Sequence, residues 1–483
     1  MNFLSTTLLS VLLIISTFAY SQELNYEKQP LRPQFHFSPG KNWQGAPEGL
    51  VFLDGEYHLF YQYNPLSNEE GYSHWGHAVS SDLIHWNYLP IALSPDENSS
   101  EKDSSTVLSG SVIVDKNNVL GKQKGNTPTF VAFYTSDKSG QRLAYSNDKG
   151  LTWQKYEKNP IIAYDSTDDA RDPKIFWNEE TKKWVMLLSR KLSDSETSKG
   201  TSFYTSDNLI DWQFQSHLPG MFDHPDLVEF TVTNRPDEKV WILFDGTGSY
   251  LMGNFDGSTF TPTSGKMTSD WGKNYYAPQT WNNLPETEKR VLQIACLRNG
   301  TFTDMPFNGQ MTFPSELSVK KFATGYKLIR KPIKEIELLH GKHDSWTDKN
   351  LIPGIKQNRM KNVNGDCLHI IAEFDLKTSD NFGFMLRHST KNPGIEVLYN
   401  VKRGVLTVLG STVPLLPVDN KIQLEIILDR TSLEIYANDG QAIVSNLYEA
   451  DAKSKDVMLF TNGGELGIIQ ADAYEIKSIW NEK

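Results

Sequence analysis

Carboxyl side chains in two short motifs have the clearest chemical potential in this chain. One motif is Arg171-Asp172-Pro173, which opens a predicted strand, and the other runs from Asp223 and His224 to Leu227. Two carboxyl groups held a few ångströms apart can protonate a leaving oxygen and stabilise positive charge on a sugar ring, and glycosidases use such pairs. His224 is either a group that titrates near neutral pH or a packed side chain.

A third motif covers residues 42–49 and reads Asn-Trp-Gln-Gly-Ala-Pro-Glu-Gly, directly before a predicted strand, a Gly turn and a second strand. Residues i and i+2 of a strand share a face, so Glu48 is predicted to face the same pocket as Ala46. Pro47 and Gly49 are residue types that can bend the chain away from that arrangement.

Together the three motifs resemble glycoside hydrolase family 32, the invertases, inulinases and levanases, over nearly the whole chain after the N-terminal segment. In that family the motif at 42–49 contains Trp-Met-Asn-Asp-Pro-Asn-Gly, whose Asp is the nucleophile. The resemblance implies that Ala46 replaces this nucleophile and that Asp172 stabilises the charged sugar. Asp223 stands at the position of the acid/base Glu, with a side chain one methylene shorter. Glu48 is the candidate replacement for the lost nucleophile.

Our candidate substrate-binding residues are Gln62, Glu70, Ser109, Arg171 and His224. Gln62 and Ser109 match sugar-contacting residues of the family, whereas Glu70 falls where the family has a substrate-facing Trp. Two further departures are Gly45, in place of an Asn, and Asn274, in place of an Asp. These departures predict a modified mechanism.

A local repeat indicates how the chain positions these motifs. A turn-forming Asp is followed by an aromatic residue after each of several β-rich runs, at Asp82, Asp148, Asp207 and Asp256. Units of about 50 to 65 residues with several short strands are typical of propeller blades. The repeat predicts an all-β chain with a five-bladed β-propeller over residues 30–335.

The pattern changes after residue 339. Alternating or continuous apolar segments, together with the predicted tight turn Asn438-Asp439-Gly440, favour a C-terminal β-sandwich over residues 345–483. The resemblance implies the same order of domains.

The composition of the chain argues against some classes of function. The net charge is −11, which argues against binding to nucleic acids or anionic membranes. The aromatic content, with 12 Trp, 20 Tyr and 24 Phe, suits sugar recognition, but such a content is also common in buried β-structure.

The spacing of the histidines does not fit a zinc site at His58, His74, His77 and His85, and we predict no metal and no cofactor. The chain has only two cysteines, Cys296 and Cys367, too few for a framework of several disulfides. They either form one disulfide or remain two buried thiols.

The N-terminal segment has the pattern of a secretory signal. Residues 3–19 are mainly apolar but too short for a membrane span, and small residues precede a predicted cleavage site between Ser21 and Gln22. We predict removal of a signal peptide at 1–21 and a secreted or periplasmic mature chain.

The sequence therefore supports two functions. The first is a secreted glycoside hydrolase of the family 32 type, which acts on fructans, other β-fructofuranosides or a related glycan by a modified mechanism. The alternative is a non-catalytic fructan- or glycan-binding protein on the same scaffold. Either function predicts an oligo- or polysaccharide as the binding partner, and the oligomeric state is left open.

Overall fold

A computed structural model describes residues 26–96 and 106–480, apart from 138, 194, 286, 347, 355–359, 361 and 450. The predicted signal peptide at 1–21 lies outside the described residues. Within these ranges nearly all regular structure is β-strand, together with three short 3-10 helices: Tyr26–Lys28, Glu196–Ser198 and Lys334–Leu339. The all-β prediction is confirmed.

The first three blades are antiparallel sheets built from consecutive strands. Blade 1 contains β1 (Asn42–Leu53), β2 (Glu56–Asn64), β3 (His74–Ser80) and β4 (Asn87–Leu93). Blade 2 contains β5 (Val107–Asp115), β6 (Thr129–Ser136), β7 (Gly140–Ser146) and β8 (Gln154–Lys155). Blade 3 contains β9 (Arg171–Asn178), β10 (Lys183–Lys191), β11 (Lys199–Ser206) and β12 (Gln213–Pro219).

Two further blades complete the predicted five-bladed propeller. Blade 4 contains β13 (Asp226–Val232), β14 (Arg235–Phe244), β15 (Ser249–Phe255), β16 (Phe260–Pro262) and β17 (Met267–Thr268). Blade 5 contains β18 (Tyr275–Thr280), β19 (Val291–Leu297), β21 (Gln310–Met311), β22 (Ser315–Phe322) and β23 (Gly325–Pro332), whereas β20 (Phe307–Asn308), which follows β19 in the chain, belongs to the sheet of blade 1. The ring closes where β20 pairs in parallel with the start of β1, which places Phe307 beside Asn42.

The predicted Asp turns connect the third and fourth strands of blades 1 to 4. In blade 1, one carboxylate oxygen of Asp82 accepts the backbone N–H groups of Ile84 and His85, at 2.9 and 2.8 Å. In blade 3 the predicted residue, Asp207, is wrong by one position. The side chain of Asn208 accepts the equivalent hydrogen bonds, from the backbone N–H groups of Ile210 and Asp211. An amide oxygen closes such a turn as a carboxylate does.

The C-terminal domain is a two-sheet β-sandwich, as predicted. One sheet contains β24 (His340–Ser345), β25 (Asn350–Leu351), β26 (Leu368–Asp375), β31 (Lys421–Leu428), β32 (Ser432–Ala437), β33 (Ala442–Leu447) and β35 (Leu466–Ile476). The other contains β27 (Asn381–His388), β28 (Ile395–Asn400), β29 (Val405–Val408), β30 (Ser411–Pro414) and β34 (Asp456–Asn462). A continuous apolar core fills the space between them.

A buried polar network lies on the propeller axis, where the first strands of neighbouring blades meet. The Lys174 ammonium of β9 is 3.2 Å from Asp226 of β13 and donates to the Thr280 carbonyl of β18 at 2.9 Å. Asp226 in turn accepts the Thr280 backbone N–H at 2.7 Å. Both charged side chains are almost fully buried, so each depends on the other for compensation of its charge.

A second buried cluster joins the propeller to the sandwich. The two ring nitrogens of His36 contact Asp429 at 2.8 Å and Glu434 at 3.0 Å, and all three side chains are fully buried. Burial alone would lower the pKa of His36, but the hydrogen bonds and charges of the two carboxylates outweigh it and raise that pKa to about 9. His36 is therefore a buried imidazolium held between two anions of the other domain.

Cys296 and Cys367 are both buried free thiols, one in each domain. Among the described residues, no helix has the length and apolar character needed to cross a membrane.

The His36 cluster predicts a pH dependence of stability. The pKa of His36 in the folded state lies above its unfolded value, so its contribution is fully present below about pH 6.5 and is lost as the pH rises through about 9. We expect His36→Gln to lower the free energy of unfolding by about 3–5 kcal/mol near neutral pH, because it leaves two buried carboxylates unpaired. The difference in the free energy of unfolding between wild type and His36→Gln should shrink at alkaline pH. Urea unfolding of both proteins at a series of pH values measures it.

The matched control is His343→Gln, because His343 also pairs with a carboxylate, Asp472, but is 44% exposed. Its expected cost is about 1 kcal/mol or less. Equal costs for the two variants, or a His36→Gln deficit that does not change with pH, would contradict the assignment of charge to His36.

Candidate active site

A cavity of about 390 Å³ lies where the five blades converge. Its polar lining includes seven of the eight predicted catalytic or substrate-binding residues: Gln62, Glu70, Ser109, Arg171, Asp172, Asp223 and His224. The eighth, Glu48, is not part of the lining. The fold thus brings together motifs as distant in the chain as residues 42–49 and 223–227.

Asp172 lies at the start of β9 and is 4% exposed. Its backbone N–H donates to the Thr135 hydroxyl at 3.0 Å, and its Oδ2 accepts the His224 backbone N–H at 3.0 Å. Burial raises the pKa of Asp172 to about 6, and the nearby carboxylate of Asp223 adds to this effect, while His224 and Arg171 oppose it. Asp172 is thus a carboxyl group that can hold a proton in mildly acidic solution.

Asp223 lies beside Asp172 but has more hydrogen-bond donors. Its Oδ1 accepts from the Arg171 Nε at 3.0 Å, and its Oδ2 accepts from the Tyr276 hydroxyl. Burial acts to raise the pKa of Asp223, but the His224 imidazole, the Asp172 proton, the Tyr276 hydroxyl and the Arg171 guanidinium together lower it below the ordinary range. Asp223 is therefore held as a carboxylate.

Below about pH 6 the pair carries one proton, and it resides on Asp172, whose pKa is the higher of the two. Two carboxylates this close cannot both ionise freely, because each charge disfavours the other. The donors around Asp223 decide which member of the pair keeps the charge. Asp223, the position that the resemblance equates with the acid/base residue, is therefore the more acidic member of the pair, and Asp172 holds the proton below about pH 6.

Asp172, Asp223 and His224 also offer ligand atoms that lie within 4.8 Å of one another, as a metal site requires. Both oxygens of Asp223 are already hydrogen-bonded, and the Arg171 guanidinium lies beside both carboxylates, 3.6 Å from Asp172. A cation would have to compete with that fixed positive charge, so the arrangement favours a proton over a metal ion.

The backbone of this cluster is strained. Asp172, Asp223 and His224 have φ angles of 60°, 75° and 40°, a region that side-chain-bearing residues seldom adopt. Such conformations cost about 1–3 kcal/mol each and persist where surrounding structure enforces them, commonly at functional sites. Here they turn the two carboxyl groups toward each other and into the cavity.

Ala46 lies in the cavity wall, where the resemblance places a nucleophile. It packs with Ala277, Cys296 and the ring of Tyr276, so this wall is apolar. None of these side chains is a carboxylate that could attack an anomeric carbon. One face of a bound sugar would therefore meet a wall without a protein nucleophile.

Glu48 does not share the pocket with Ala46, and that expectation is corrected. β1 has register shifts on both sides of Glu48, between Gln44 and Pro47 and between Glu48 and Val51, so the simple alternation of side chains is lost. Glu48 is fully buried, and its Oε2 accepts the Gly110 backbone N–H of β5 at 2.8 Å. Direct attack on a sugar requires an oxygen at the cavity surface, which Glu48 lacks.

Gln62 and Ser109 form a hydrogen-bonded pair in the cavity wall, with the Gln62 amide N–H donating to the Ser109 hydroxyl at 2.8 Å. Glu70 is exposed at the cavity rim. At Gly45 a Cβ atom would lie 2.5 Å from the Trp43 ring and 2.7 Å from the Gln62 side-chain oxygen. The Trp43 ring thus occupies the space that an Asn at position 45 would need.

Sequence reasoning missed Tyr276 and Arg298. Tyr276 donates to Asp223, and the Arg298 guanidinium lies 3.8 Å above the Tyr276 ring. The segment 270–277 was singled out only for Asn274, which lies outside the cavity and accepts the Leu447 backbone N–H of the sandwich at 2.8 Å. No local pattern distinguishes Tyr276 from the buried Tyr275 before it.

Comparisons with known proteins agree with this architecture. The model for the Glycosyl hydrolases family 32 N-terminal domain matches residues 36–332, and that for the family 32 C terminal matches residues 335–475. A levanase of Bacillus subtilis (strain 168) is 34% identical, over 98% of this chain and 74% of its own length. An extracellular exo-inulinase of Aspergillus awamori is 30% identical, over 98% of this chain and 99% of its own. The crystal structure of exo-inulinase from Aspergillus awamori has a TM-score of 0.85 at 28% identity, covering 94% of this chain and 99% of that one.

The donors to Asp223 make a testable prediction. We expect Tyr276→Phe to raise the lower apparent pKa of the carboxyl pair by about one unit, because a hydrogen bond to a charged group is worth about 1.5 kcal/mol or more. Carbon-13 NMR titration of the aspartate carboxyl signals measures it. Tyr275→Phe is the matched control, since the Tyr275 hydroxyl donates to Gln293 and not to the pair. An unchanged titration in Tyr276→Phe would show that this contact does not hold Asp223 ionised.

Proposed function

Because the chain belongs to glycosyl hydrolase family 32, whose members hydrolyse O-glycosyl bonds, we propose that it hydrolyses fructans or other β-fructofuranosides by a modified mechanism. The single observation that carries the proposal is the Asp172–Asp223 pair, two carboxyl groups that line the same cavity with oxygen atoms within 4.8 Å of each other. The levanase and exo-inulinase relatives support a fructan as the substrate.

The proton of the pair is the first requirement of the reaction. In the proposed mechanism Asp172 gives its proton, directly or through Asp223, to the oxygen of the leaving group, and the bond between that oxygen and the anomeric carbon breaks. The two electrons of the bond stay with the leaving oxygen, and the sugar becomes an oxocarbenium ion. The carboxylates of Asp172 and Asp223 and the Gln62–Ser109 pair then bind the hydroxyl groups of the oxocarbenium ion.

Water replaces the missing protein nucleophile in this mechanism. A water molecule adds to the oxocarbenium ion from the side of Ala46, where the small methyl group leaves room, and its proton returns to the carboxyl pair through solvent. Addition from that side inverts the configuration of the anomeric carbon. No carboxylate faces this water among the described residues of the wall, so the reaction lacks a general base, which ordinarily contributes about 10²–10⁴-fold.

The polar groups at the rim extend the proposal to substrate binding. Glu70 replaces an aromatic surface by a carboxylate, which accepts hydrogen bonds from sugar hydroxyls in place of packing against a sugar face. Arg171 and His224, beside the carboxyl pair, complete the candidate binding residues. The oligo- or polysaccharide would then be held mainly by hydrogen bonds.

The second candidate function is a non-catalytic fructan- or glycan-binding protein. The apolar wall at Ala46 favours it, because a sugar that meets a wall whose described residues offer neither a nucleophile nor a general base can be bound and released unchanged. Glu48 does not remove this alternative, since its carboxyl group is enclosed beneath the cavity wall.

We also propose that the chain is secreted. The apolar segment at 3–19 and the small residues before Gln22 support removal of a signal peptide. The relative from Aspergillus awamori is named an extracellular enzyme.

The direct test is release of reducing sugar from levan, inulin and sucrose by the purified protein. We expect slow release that falls by about 10²–10⁴-fold in Asp172→Asn, because that side chain has no acidic proton to donate. Equal activity in Asp172→Asn would contradict the role of the pair. Absence of release together with saturable binding of the same glycans would favour the binding protein.

The pH dependence of kcat/KM tests the proton itself. Asp172 must be protonated to act as the acid, so activity is present below its pKa and falls as the pH rises through about 6. Tyr276→Phe removes a hydrogen-bond donor to the Asp223 carboxylate and should shift the pH at which kcat/KM falls, whereas Tyr275→Phe should not shift it. A rate that rises with pH across the same range would assign the pair a different role.

A further inference from the structure

Arg298 lines the cavity, and the proposed mechanism does not use it. It lies directly after β19, two residues beyond Cys296, which is the cross-strand partner of Tyr276 in β18. Residues i and i+2 of a strand share a face, and long side chains reach their diagonal neighbours across an antiparallel pair. The Arg298 guanidinium accordingly lies over the Tyr276 ring, 3.8 Å from the ring centroid.

The backbone of Arg298 is held in place by Asn274. The Arg298 N–H donates to the Asn274 carbonyl at 2.8 Å, and the Asn274 side-chain amide donates to the Arg298 carbonyl at 2.7 Å. The side-chain oxygen of Asn274 accepts the Leu447 N–H of the sandwich. Arg298 is thus an exposed side chain on a fixed backbone, and contacts from both domains determine where it lies.

The Tyr276 ring is confined on more than one side. The Arg298 guanidinium covers one face of the ring. The imidazole of His224 meets the ring edge-on, with centroids 5.4 Å apart and planes at 81° to each other. In this orientation the Tyr276 hydroxyl donates to Asp223. The position of the ring therefore decides whether that hydrogen bond forms.

A cation above a tyrosine ring acts on the hydroxyl group as well as on the ring. The guanidinium is attracted to the electron-rich face, which holds the ring in place. Positive charge also stabilises electron density on the phenol oxygen, so the hydroxyl becomes a stronger donor. Burial raises the pKa of Tyr276, the charges of Asp223 and Asp172 raise it further, and Arg298 opposes the rise. Tyr276 therefore keeps its proton and can donate it.

The two arginines of the cavity act on the carboxyl pair in different ways. The Arg171 Nε lies 3.0 Å from Asp223 and 3.6 Å from Asp172, so Arg171 pairs with the carboxylates directly. Arg298 contacts the tyrosine ring instead. The titratable or charged groups that face Asp223 or Tyr276 are Asp172, Arg171, His224 and Arg298.

We propose that Arg298 is a positioning residue for the carboxyl pair, which holds the Tyr276 ring in place and strengthens the hydrogen bond from its hydroxyl to Asp223. Arg298 acts on Asp223 through Tyr276. Its replacement should therefore affect Asp223 mainly while the Tyr276 hydroxyl is present. The inference concerns the site without a sugar and does not rest on the proposed hydrolysis.

Carbon-13 NMR titration of the aspartate carboxyl signals in the sugar-free protein tests the proposal. Arg298→Met removes the charge but keeps a long side chain, and it is expected to raise the lower apparent pKa of the pair by about half a unit. Arg298→Lys keeps a cation that can lie over the ring and is expected to recover part of that shift. Arg235→Met is the matched control for the loss of one charge, because Arg235 is exposed at the start of β14, at the end of blade 4 opposite to Asp226.

The double variant Tyr276→Phe/Arg298→Met separates action through the ring from a direct effect of the charge. Without the Tyr276 hydroxyl, Arg298→Met should change the titration by much less than it does in the wild type. No shift in Arg298→Met, an equal shift in Arg235→Met, or a shift of the same size with and without the hydroxyl would overturn the proposal. Because no sugar is present, the titration decides this point whether or not the protein hydrolyses fructans.

Discussion

The buried ion pair between Lys174 and Asp226 fixes the arrangement on which the site depends. Neither charge can remain unpaired away from water, so β9 and β13 must lie side by side at the propeller axis. Asp172 lies two residues before Lys174, and Asp223 lies three residues before Asp226. The interaction that holds blades 3 and 4 together therefore also holds the two carboxyl groups together. Thr280, hydrogen-bonded to both ion-pair partners, ties blade 5 to the same point.

That proximity determines the chemistry of the pair. Two carboxyl groups held close in a partly buried cavity titrate together, and the surrounding donors decide which of them has the higher pKa. Asp223 accepts hydrogen bonds from Arg171 and Tyr276, so the higher pKa belongs to Asp172. The carboxylate at position 223 contacts the hydroxyl of Tyr276, which lowers its pKa and helps to keep it ionised.

The sandwich contributes to the site through the segment 270–277. Asp270 pairs with Arg330 and accepts the Ser445 backbone N–H at 3.0 Å, and Asn274 accepts the Leu447 N–H. These contacts fix both sides of a segment that ends next to the cavity and includes Tyr276. The C-terminal domain therefore positions a donor of the carboxyl pair, whereas the described lining of the cavity comes from the propeller.

The sequence by itself determined the all-β class, the five blades and the sandwich, because Asp turns and apolar alternation act over a few residues. It also selected Asp172, Asp223, Gln62 and Ser109, since short motifs carried the resemblance. Only the tertiary structure decided the place of Glu48, because two register shifts in β1 override the simple alternation of a strand. It alone showed which member of the carboxyl pair has the higher pKa and identified Tyr276, because burial and contacts between distant segments set the pKa of a carboxyl group.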